Sequence, residues 1–210
     1  MKVTSIFNEF SKQYDLWYEK NKALYISEIS AIKPHLEAGL SLEVGVGSGR
    51  FAGPLKVDFG VDPSFEMLKM AKDRGIKVLR GVAENLPFKK EIFDSVLLVV
   101  TLCFLKEPEV SLLEIKRVLK SEGRIIVAFV DKDSFLGKIY LDKKDKSVFY
   151  QEAQFYSSSE VCELLEKAGF KPLLFTQTLF RPPEEITQPE PVKEGYGEGG
   201  FVVISAKKTS

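Results

Sequence analysis

Five short apolar runs after residue 40 alternate with amphipathic stretches, and this alternation is the main structural signal in the chain. The runs predict strands at 42–46, 57–61, 76–80, 95–100 and 124–130. The last two are almost entirely apolar, which is typical of parallel strands that helices cover on both faces. Amphipathic helices are predicted between strands, at 64–74 and 108–120. The alternation predicts right-handed βαβ units and a doubly wound α/β sheet.

The C-terminal third follows a different pattern. A capping box that begins at Ser157 or Ser158 predicts a helix that ends before Gly169. Two further apolar runs, at 170–180 and 200–206, predict strands that pair antiparallel because no helix lies between them. The intervening segment 181–199 is rich in Pro, Glu and Gly and is predicted to be a mobile loop.

The N-terminal region, roughly residues 5–37, predicts helices with an unusually dense aromatic content. Two interpretations carry equal weight: a helical pair that packs on the core, or a lid over a ligand at the edge of the sheet. Another aromatic segment, 131–156, matches no motif. It is interpreted either as the lining of a substrate pocket or as the core of an added subdomain.

Charge and cysteine content narrow the function classes. Thirty basic and thirty acidic residues give a net charge of zero, which offers no electrostatic footprint for nucleic acid or an anionic membrane. No apolar run approaches the ~20 residues that span a bilayer, and the first residues do not form a signal peptide. Cys103 and Cys162 fit neither a metal site nor a disulfide framework, so we expect reduced thiols in a cytoplasmic protein.

The first predicted strand runs into a glycine-rich turn with the pattern Gly45-x-Gly47-x-Gly49. Glycines at this place let the backbone approach a ligand closely. The dinucleotide-binding pattern requires a further glycine at position 50, where this chain has Arg50. Glu43 precedes the turn and would repel a pyrophosphate, whereas it suits a cationic ligand such as an amino group.

The sequence Glu-Val-Gly-Val-Gly-Ser-Gly at 43–49 resembles the first motif of class I S-adenosylmethionine (SAM)-dependent methyltransferases. Gly-Val-Asp-Pro-Ser at 60–64 resembles the second motif, and Gly-Val-Ala-Glu-Asn-Leu-Pro-Phe at 81–88 resembles the third. Residues 93–96 and 117–124 resemble the fourth strand and the turn into the fifth. The resemblance covers residues 40–130 well and the rest loosely. It is strongest to the small-molecule type-11 branch, which includes quinone-biosynthesis enzymes.

The resemblance implies a Rossmann-like, mostly parallel sheet of seven strands in the order 3-2-1-4-5-7-6, with an antiparallel last strand. It also implies an N-terminal helical lid (1–38) on a SAM-binding domain (39–210). The expected activity is methyl transfer from SAM to a small molecule, with S-adenosylhomocysteine as product. Nucleic-acid acceptors are disfavoured because the chain lacks an Asn-Pro-Pro-Tyr run. Both a monomer and a homodimer stay open.

The resemblance also assigns roles to individual residues. Asp62 is expected to accept hydrogen bonds from the ribose hydroxyls, and Ala83 with Glu84 is expected to lie against adenine. The full set of expected cofactor-binding residues is Tyr14, Glu43, Gly45, Val46, Gly47, Asp62, Pro63, Ala83, Glu84 and Val100. No catalytic base is evident, and Tyr14, Asp15 and Asp131 stay as weak candidates. His35 and Cys103 are expected to be packing residues.

Three other functions fit parts of the pattern. The lack of an evident base permits a SAM-binding sensor or partner protein that does not methylate. An NAD-dependent oxidoreductase is disfavoured by Arg50 and by the short spacing of 17 residues between Gly45 and Asp62. An interaction domain that has lost its ligand is disfavoured because Glu43 and Gly47 are intact.

Overall fold

The computed structural model describes residues 2–209 and is built around one eight-stranded sheet of order β3-β2-β1-β4-β5-β8-β6-β7. Strands β1 to β5 are parallel, and β8 lies antiparallel between β5 and β6. The strands are β1 (Ser41–Val44), β2 (Phe59–Asp62), β3 (Lys77–Arg80), β4 (Phe93–Val99), β5 (Leu119–Val130), β6 (Phe170–Thr178), β7 (Lys193–Glu194) and β8 (Phe201–Lys208). The predicted doubly wound fold and its strand order are confirmed.

Strand β7 is an addition to the seven predicted strands. It has two residues and pairs with the edge of β6 inside segment 181–199. So short an element has no alternation of apolar and polar residues, and the sequence therefore gives no signal for it. The same segment, predicted to be a mobile loop, is anchored by the buried side chains of Ile186 and Glu190. Glu190 accepts hydrogen bonds from Arg181 and from the backbone of Phe180.

Helices cover both faces of the sheet, as the apolar strands predict. The helices are α1 (Lys2–Glu9), α2 (Ser11–Lys20), α3 (Lys22–Ile32), α4 (Ala52–Leu55), α5 (Phe65–Asp73), α6 (Pro108–Val118), α7 (Phe135–Asp142) and α8 (Ser158–Lys167). Helices α6 and α8 pack on one face through Leu112, Ile115 and Leu165. The opposite face is covered by α3, α4, α5 and α7.

Local signals fix several helix ends where the sequence predicts them. Ser64 caps α5 and accepts a hydrogen bond from the backbone of Met67. Ser157 and Glu160 form the capping box of α8. The boundary between α6 and β5 differs from the prediction, since the strand begins at Leu119 rather than 124. Leu119 pairs with Phe93 before a register shift, and such irregular pairing leaves no regular pattern in the sequence.

The single histidine lies in the interior of the protein. His35 is buried and its Nε2 lies 2.8 Å from Thr176 Oγ1, a packing role as expected. Burial, together with the charge of Arg124, lowers the pKa of His35 to about 4, so the ring is neutral at pH 7. Within residues 2–209, no helix is long and apolar enough to cross a bilayer.

Candidate active site

A cleft of about 980 Å³ opens at the carboxyl ends of β1, β2 and β4, where ligands bind in doubly wound sheets. It brings together eight of the predicted residues: Tyr14, Gly45, Gly47, Asp62, Pro63, Ala83, Glu84 and Val100. Two predicted residues, Glu43 and Val46, do not line it. The cleft is also lined by α1, which belongs to the predicted N-terminal lid, and by residues 104–107, which belong to no motif.

The glycine turn has a backbone that only glycine adopts easily. Gly45, Gly47 and Gly49 have φ values of +74°, +51° and +81°. Gly45 donates a backbone hydrogen bond of 2.8 Å to Val61 O, which holds the turn against the end of β2. A Cβ on Gly45 would lie 2.3 Å from the side chain of Thr101, whereas a Cβ on Gly47 would meet no atom within 4 Å. The turn is therefore packed at Gly45 and open at Gly47.

Asp62 ends β2 and connects it to the glycine turn. Its Oδ2 accepts a hydrogen bond of 2.9 Å from the Gly47 amide, and its Oδ1 accepts one of 2.8 Å from the Ser64 amide. Burial raises the pKa of Asp62 to about 6, although the two amides oppose that rise. The carboxylate is thus held rigidly at the wall of the cleft with acceptor capacity left for a ligand hydroxyl.

Glu43 and Val46 lie beneath the turn rather than in the cleft. Glu43 is 1% exposed and accepts a hydrogen bond from the backbone of Ala52, while its Oε2 has no hydrogen-bond partner among the described residues. Burial raises its pKa well above the ordinary value. Val46 packs into the core so tightly that a Cβ on Gly60 would lie 2.7 Å from it. Both residues shape the turn from below.

Of the three candidate bases, only Tyr14 reaches the cleft. Its hydroxyl lies 2.8 Å from that of Tyr18, and burial raises the pKa of Tyr14. A tyrosine that titrates above its ordinary pKa of ~10 is a poor proton acceptor at neutral pH. Tyr14 is therefore placed to contact a ligand rather than to act as a base.

Asp15 lies behind the turn, in an ion-pair network that the sequence does not indicate. Its carboxylate accepts hydrogen bonds from Ser48 Oγ (2.7 Å), Arg50 Nε (2.8 Å) and Arg74 Nη2 (2.9 Å). Burial opposes its ionisation, but these donors outweigh burial and lower the pKa of Asp15. Arg74 also donates to the Ser48 carbonyl (2.6 Å), so the network braces the glycine turn.

Asp131, the third candidate base, lies outside the cleft lining. It is 5% exposed, and it accepts hydrogen bonds from the backbone amides of Ser158 (3.1 Å) and Asp133 (2.9 Å). The Ser158 hydroxyl donates a further bond of 2.5 Å to the same carboxylate. These contacts join the end of β5 to the start of α8, which is a structural role.

Helix α1 closes one side of the cleft. Asn8 accepts hydrogen bonds from Ser64 Oγ (2.8 Å) and from the Glu66 amide (3.3 Å), which fastens α1 to the start of α5. Phe7 packs edge to face on Phe104, with ring centroids 5.3 Å apart. Its centroid also lies 5.6 Å from that of Phe149. The aromatic residues of the N-terminal region thus meet those of segment 131–156 over the cleft.

A second, much smaller cavity of about 20 Å³ adjoins the cleft at Val100, which lines both. Its remaining lining is mostly aromatic and comes largely from segment 131–156 and from β5: Leu102, Cys103, Phe129, Val130, Tyr140, Tyr150, Phe155 and Tyr156. Val100 has φ +50°, an uncommon conformation for a β-branched residue. Burial raises the pKa of the Cys103 thiol to about 12, so this cysteine is a packing group.

Comparison with known proteins agrees with this geometry. A family model described as "Methyltransferase domain" matches residues 42–127. The chain is 50% identical to an uncharacterized protein of Methanocaldococcus jannaschii, over 97% of this chain and 99% of that protein. It is 27% identical to demethylmenaquinone methyltransferase of Lactococcus lactis, over 99% of this chain and 84% of that enzyme.

A solved structure from Thermotoga maritima is similar over nearly the whole length. It is described as a SAM-dependent methyltransferase and a possible histamine N-methyltransferase. Its TM-score is 0.96 and its sequence identity is 48%, with 99% of this chain and 100% of that chain covered. The match therefore includes the N-terminal helices and segment 131–156 as well as the central sheet.

Proposed function

We propose, from the premise that this chain belongs to the SAM-dependent methyltransferases, that it transfers the methyl group of SAM to a small-molecule acceptor. SAM is the cofactor of this family. One observation carries the small-molecule part of the proposal: α1 closes the cleft from above through Asn8 and Phe7. A cleft of about 980 Å³ that α1 borders on one side suits a small ligand pair better than a polymer.

The residues that line the cleft suit the parts of SAM. The carboxylate of Asp62 would accept hydrogen bonds from the ribose hydroxyls, and Pro63, Ala83 and Glu84 would flank the adenine. Gly45 and Gly47 would let the backbone approach the methionine portion, with Tyr14 and Val100 near the methyl group. Glu43 and Val46 would act indirectly by supporting the turn. The Oε2 of Glu43, which has no hydrogen-bond partner among the described residues, would offer an acceptor close to where the amino group would bind.

The reaction that this site serves is an in-line displacement. SAM supplies a methyl group on a sulfonium, whose positive charge disperses as the acceptor's lone pair forms the new bond and the sulfur takes the departing electron pair. The chain therefore needs no oxyanion hole, and its task is to orient the two reactants and exclude water. Orientation of this kind contributes up to roughly 7–11 kcal/mol. The aromatic enclosure around Phe7, Tyr14 and Phe104 serves both tasks.

We further propose that residues 1–38 act as a lid on a SAM-binding domain of residues 39–210. The support is that α1 lines the cleft and that α2 carries Tyr14 into it. Helix α3 is not part of the cleft lining and packs on the sheet through Leu24 and Ile32, so the other interpretation, a helix that packs on the core, describes that part of the segment.

Binding calorimetry with SAM, S-adenosylhomocysteine and NAD tests the cofactor assignment. We expect the first two to bind and NAD not to bind. Asp62→Ala removes hydrogen bonds to a charged acceptor, worth about 1.5–3 kcal/mol, so SAM should bind roughly 10- to 150-fold more weakly. Asp73→Ala, at an exposed position on α5, is the matched control and should leave the affinity unchanged. Binding of NAD in place of SAM would overturn the proposal.

A screen of small metabolites for S-adenosylhomocysteine release tests the acceptor assignment. Amines belong in the screen because the Thermotoga relative, at 48% identity, is described as a possible histamine N-methyltransferase. Release with a small molecule supports an enzyme. SAM binding without release on any acceptor supports the alternative, a sensor or partner protein that binds SAM and does not methylate.

A further inference from the structure

Asn8 lies at the corner of the cleft where α1 meets the carboxyl end of β2. Its side-chain oxygen, Oδ1, accepts hydrogen bonds from the Ser64 hydroxyl (2.8 Å) and from the Glu66 amide (3.3 Å). Ser64 also donates its own amide to Oδ1 of Asp62 (2.8 Å). Ser64 therefore contacts both the side chain of Asn8 and the carboxylate of Asp62, and all three residues line the cleft.

The hydrogen bond from Glu66 fixes which way the side-chain amide of Asn8 points. A backbone N–H can only donate, so the atom that faces it must be the amide oxygen and not the nitrogen. The Nδ2 group is then turned away from the start of α5. Among the residues that the structure describes, the side chain of Asn8 bonds through Oδ1 alone. Both N–H donors of Nδ2 are therefore left for a ligand in the cleft.

Helix α1 presents different chemistry to the two ends of the cleft. Phe7 packs on the aromatic side, with ring centroids 5.4 Å from that of Tyr14 and 5.3 Å from that of Phe104. Asn8 follows directly in the sequence and is rotated by about 100° around the helix axis, which brings it to Ser64. The end of the cleft next to Asp62 thus has a hydrogen-bond donor in its α1 wall where the other end has an aromatic ring.

A ribose has the hydrogen-bonding groups that match this corner. Each of its hydroxyls donates one hydrogen bond and accepts up to two. In the proposed function the hydroxyls donate to Asp62, because an ionised carboxylate can only accept. The hydroxyl oxygens then still need donors, and Nδ2 of Asn8 is a donor held next to Ser64, which itself contacts Asp62.

We propose that Asn8 is a cofactor-binding residue, whose Nδ2 group donates hydrogen bonds to the same ribose hydroxyls that Asp62 accepts from. This inference rests on the proposed function, because it adds a second contact to the proposed nucleoside site. It makes α1 a part of the cofactor site, although the family model matches only residues 42–127. A helix that was merely fastened to Ser64 would not distinguish a ligand with ribose hydroxyls from one without them.

Asn8→Asp separates these two roles, because it keeps the oxygen that fastens α1 and removes both donors. The new carboxylate would accept from Ser64 and Glu66 as before, at the N-terminus of α5, where negative charge is favoured. If Asn8 only fastens α1, the affinity for S-adenosylhomocysteine should stay the same or rise. We expect it to fall by roughly 5- to 150-fold at pH 8, because the ribose oxygens then face a second acceptor. At that pH Asp62, with its pKa of about 6, is ionised.

Two nucleosides provide a measurement that a loss of folding would not imitate. Adenosine carries both ribose hydroxyls, and its dideoxy form lacks both. In competition calorimetry against S-adenosylhomocysteine, we expect Asn8→Asp to weaken adenosine binding and to leave dideoxyadenosine binding within about twofold. Gln13→Glu makes the same change from amide to carboxylate at an exposed position on α2. It is the matched control and should bind all three ligands as the original protein does.

The outcomes separate this inference from the proposed function. If S-adenosylhomocysteine does not bind to the original protein, the proposed function fails. If it binds, and Asn8→Asp leaves its affinity unchanged or raises it, Asn8 only fastens α1 and the assignment is wrong. Equal losses for adenosine and dideoxyadenosine would also overturn it. If Asn8→Asp does not fold, Asn8→Ala decides: both nucleosides lose the fastening, but adenosine should lose a further 2- to 12-fold, roughly, in affinity.

Discussion

The glycine turn offers a matched pair of substitutions at the residue scale. Gly45→Ala places a Cβ 2.3 Å from Thr101 and forces alanine to φ +74°. The left-handed backbone costs roughly 1–2 kcal/mol and overpacking adds about 1–3 kcal/mol. We therefore expect Gly45→Ala to lower the free energy of unfolding by about 2–5 kcal/mol in denaturant titrations.

Gly47→Ala is the partner in this comparison, because its Cβ would enter open space next to the cleft. Only the backbone cost of about 1–2 kcal/mol remains, so the stability loss should be smaller. The added methyl group should instead weaken SAM binding, as measured by calorimetry. Equal losses of stability in the two variants would contradict the finding that the turn is tightly packed at Gly45 and open at Gly47.

The proposed contact of Asp62 with the ribose predicts that SAM affinity depends on pH. Its pKa in the free protein is raised to about 6 by burial, and only the ionised carboxylate accepts hydrogen bonds from both ribose hydroxyls. Binding therefore favours the ionised form. The affinity should be constant well above pH 6 and should fall up to tenfold per pH unit below it. Calorimetry between pH 5 and 8 measures this, and Asp62→Asn should bind weakly with no inflection near pH 6.

At the scale of elements, the network at Asp15 ties α2 to the glycine turn and to the end of α5. The side chains of Asp15 and Arg50 are only 11% and 13% exposed, and removing one partner of a buried pair costs about 3–5 kcal/mol. We therefore expect Asp15→Ala to lower the free energy of unfolding by about 3–5 kcal/mol. The other partner of Arg50 is Glu19, whose side chain is 60% exposed. Glu19→Ala should therefore lower the free energy of unfolding by less than about 1 kcal/mol.

Thermal unfolding of the two variants, with and without S-adenosylhomocysteine, checks this comparison. Asp15→Ala should also weaken cofactor binding, because Arg74 then loses one of the contacts that hold it against the Ser48 carbonyl. A Glu19→Ala variant as unstable as Asp15→Ala would show that exposure does not govern the strength of these ion pairs.

Elements with local signals could be predicted from the sequence, and those set by distant contacts could not. The parallel strands, the Ser64 cap and the capping box at Ser157 each follow from residues within one element. Strand β7 and the early start of β5 at Leu119 depend on a neighbouring strand. The partners of Asp15 lie 33 to 59 residues away in the chain. The spacing of apolar and polar residues carries no information on contacts over such distances.

The same distinction holds at the scale of the whole molecule. The side of the cleft that is proposed to bind the cofactor comes from one continuous stretch of the chain, and most of its lining lies within the motifs at 43–49, 60–64 and 81–88. The other side is assembled from α1, from Tyr14 on α2 and from residues 104–107, which are far apart in the chain and meet where Phe7 packs on Phe104. Aromatic content indicated that these segments matter, but their meeting point depends on how the sheet positions them.

The lid proposal has a kinetic consequence, because a ligand beneath α1 leaves only when α1 moves. Asn8 fastens that helix through its hydrogen bonds from Ser64 and from the Glu66 amide, and the shorter one, from Ser64, contributes about 0.5–1.5 kcal/mol. Asn8→Ala should therefore raise the dissociation rate of S-adenosylhomocysteine by about 2- to 12-fold. Stopped-flow fluorescence of the single tryptophan, Trp17 on α2, provides the measurement.

Glu9→Gln, at an exposed position on the same helix, is the matched control and should leave that rate unchanged. Hydrogen exchange adds a second readout, since bound S-adenosylhomocysteine should slow exchange in α1 of the original protein and do so less in Asn8→Ala. A dissociation rate that is the same in all three proteins would mean that the ligand leaves without moving α1. In that case the N-terminal helices would serve only to pack on the core, as α3 does.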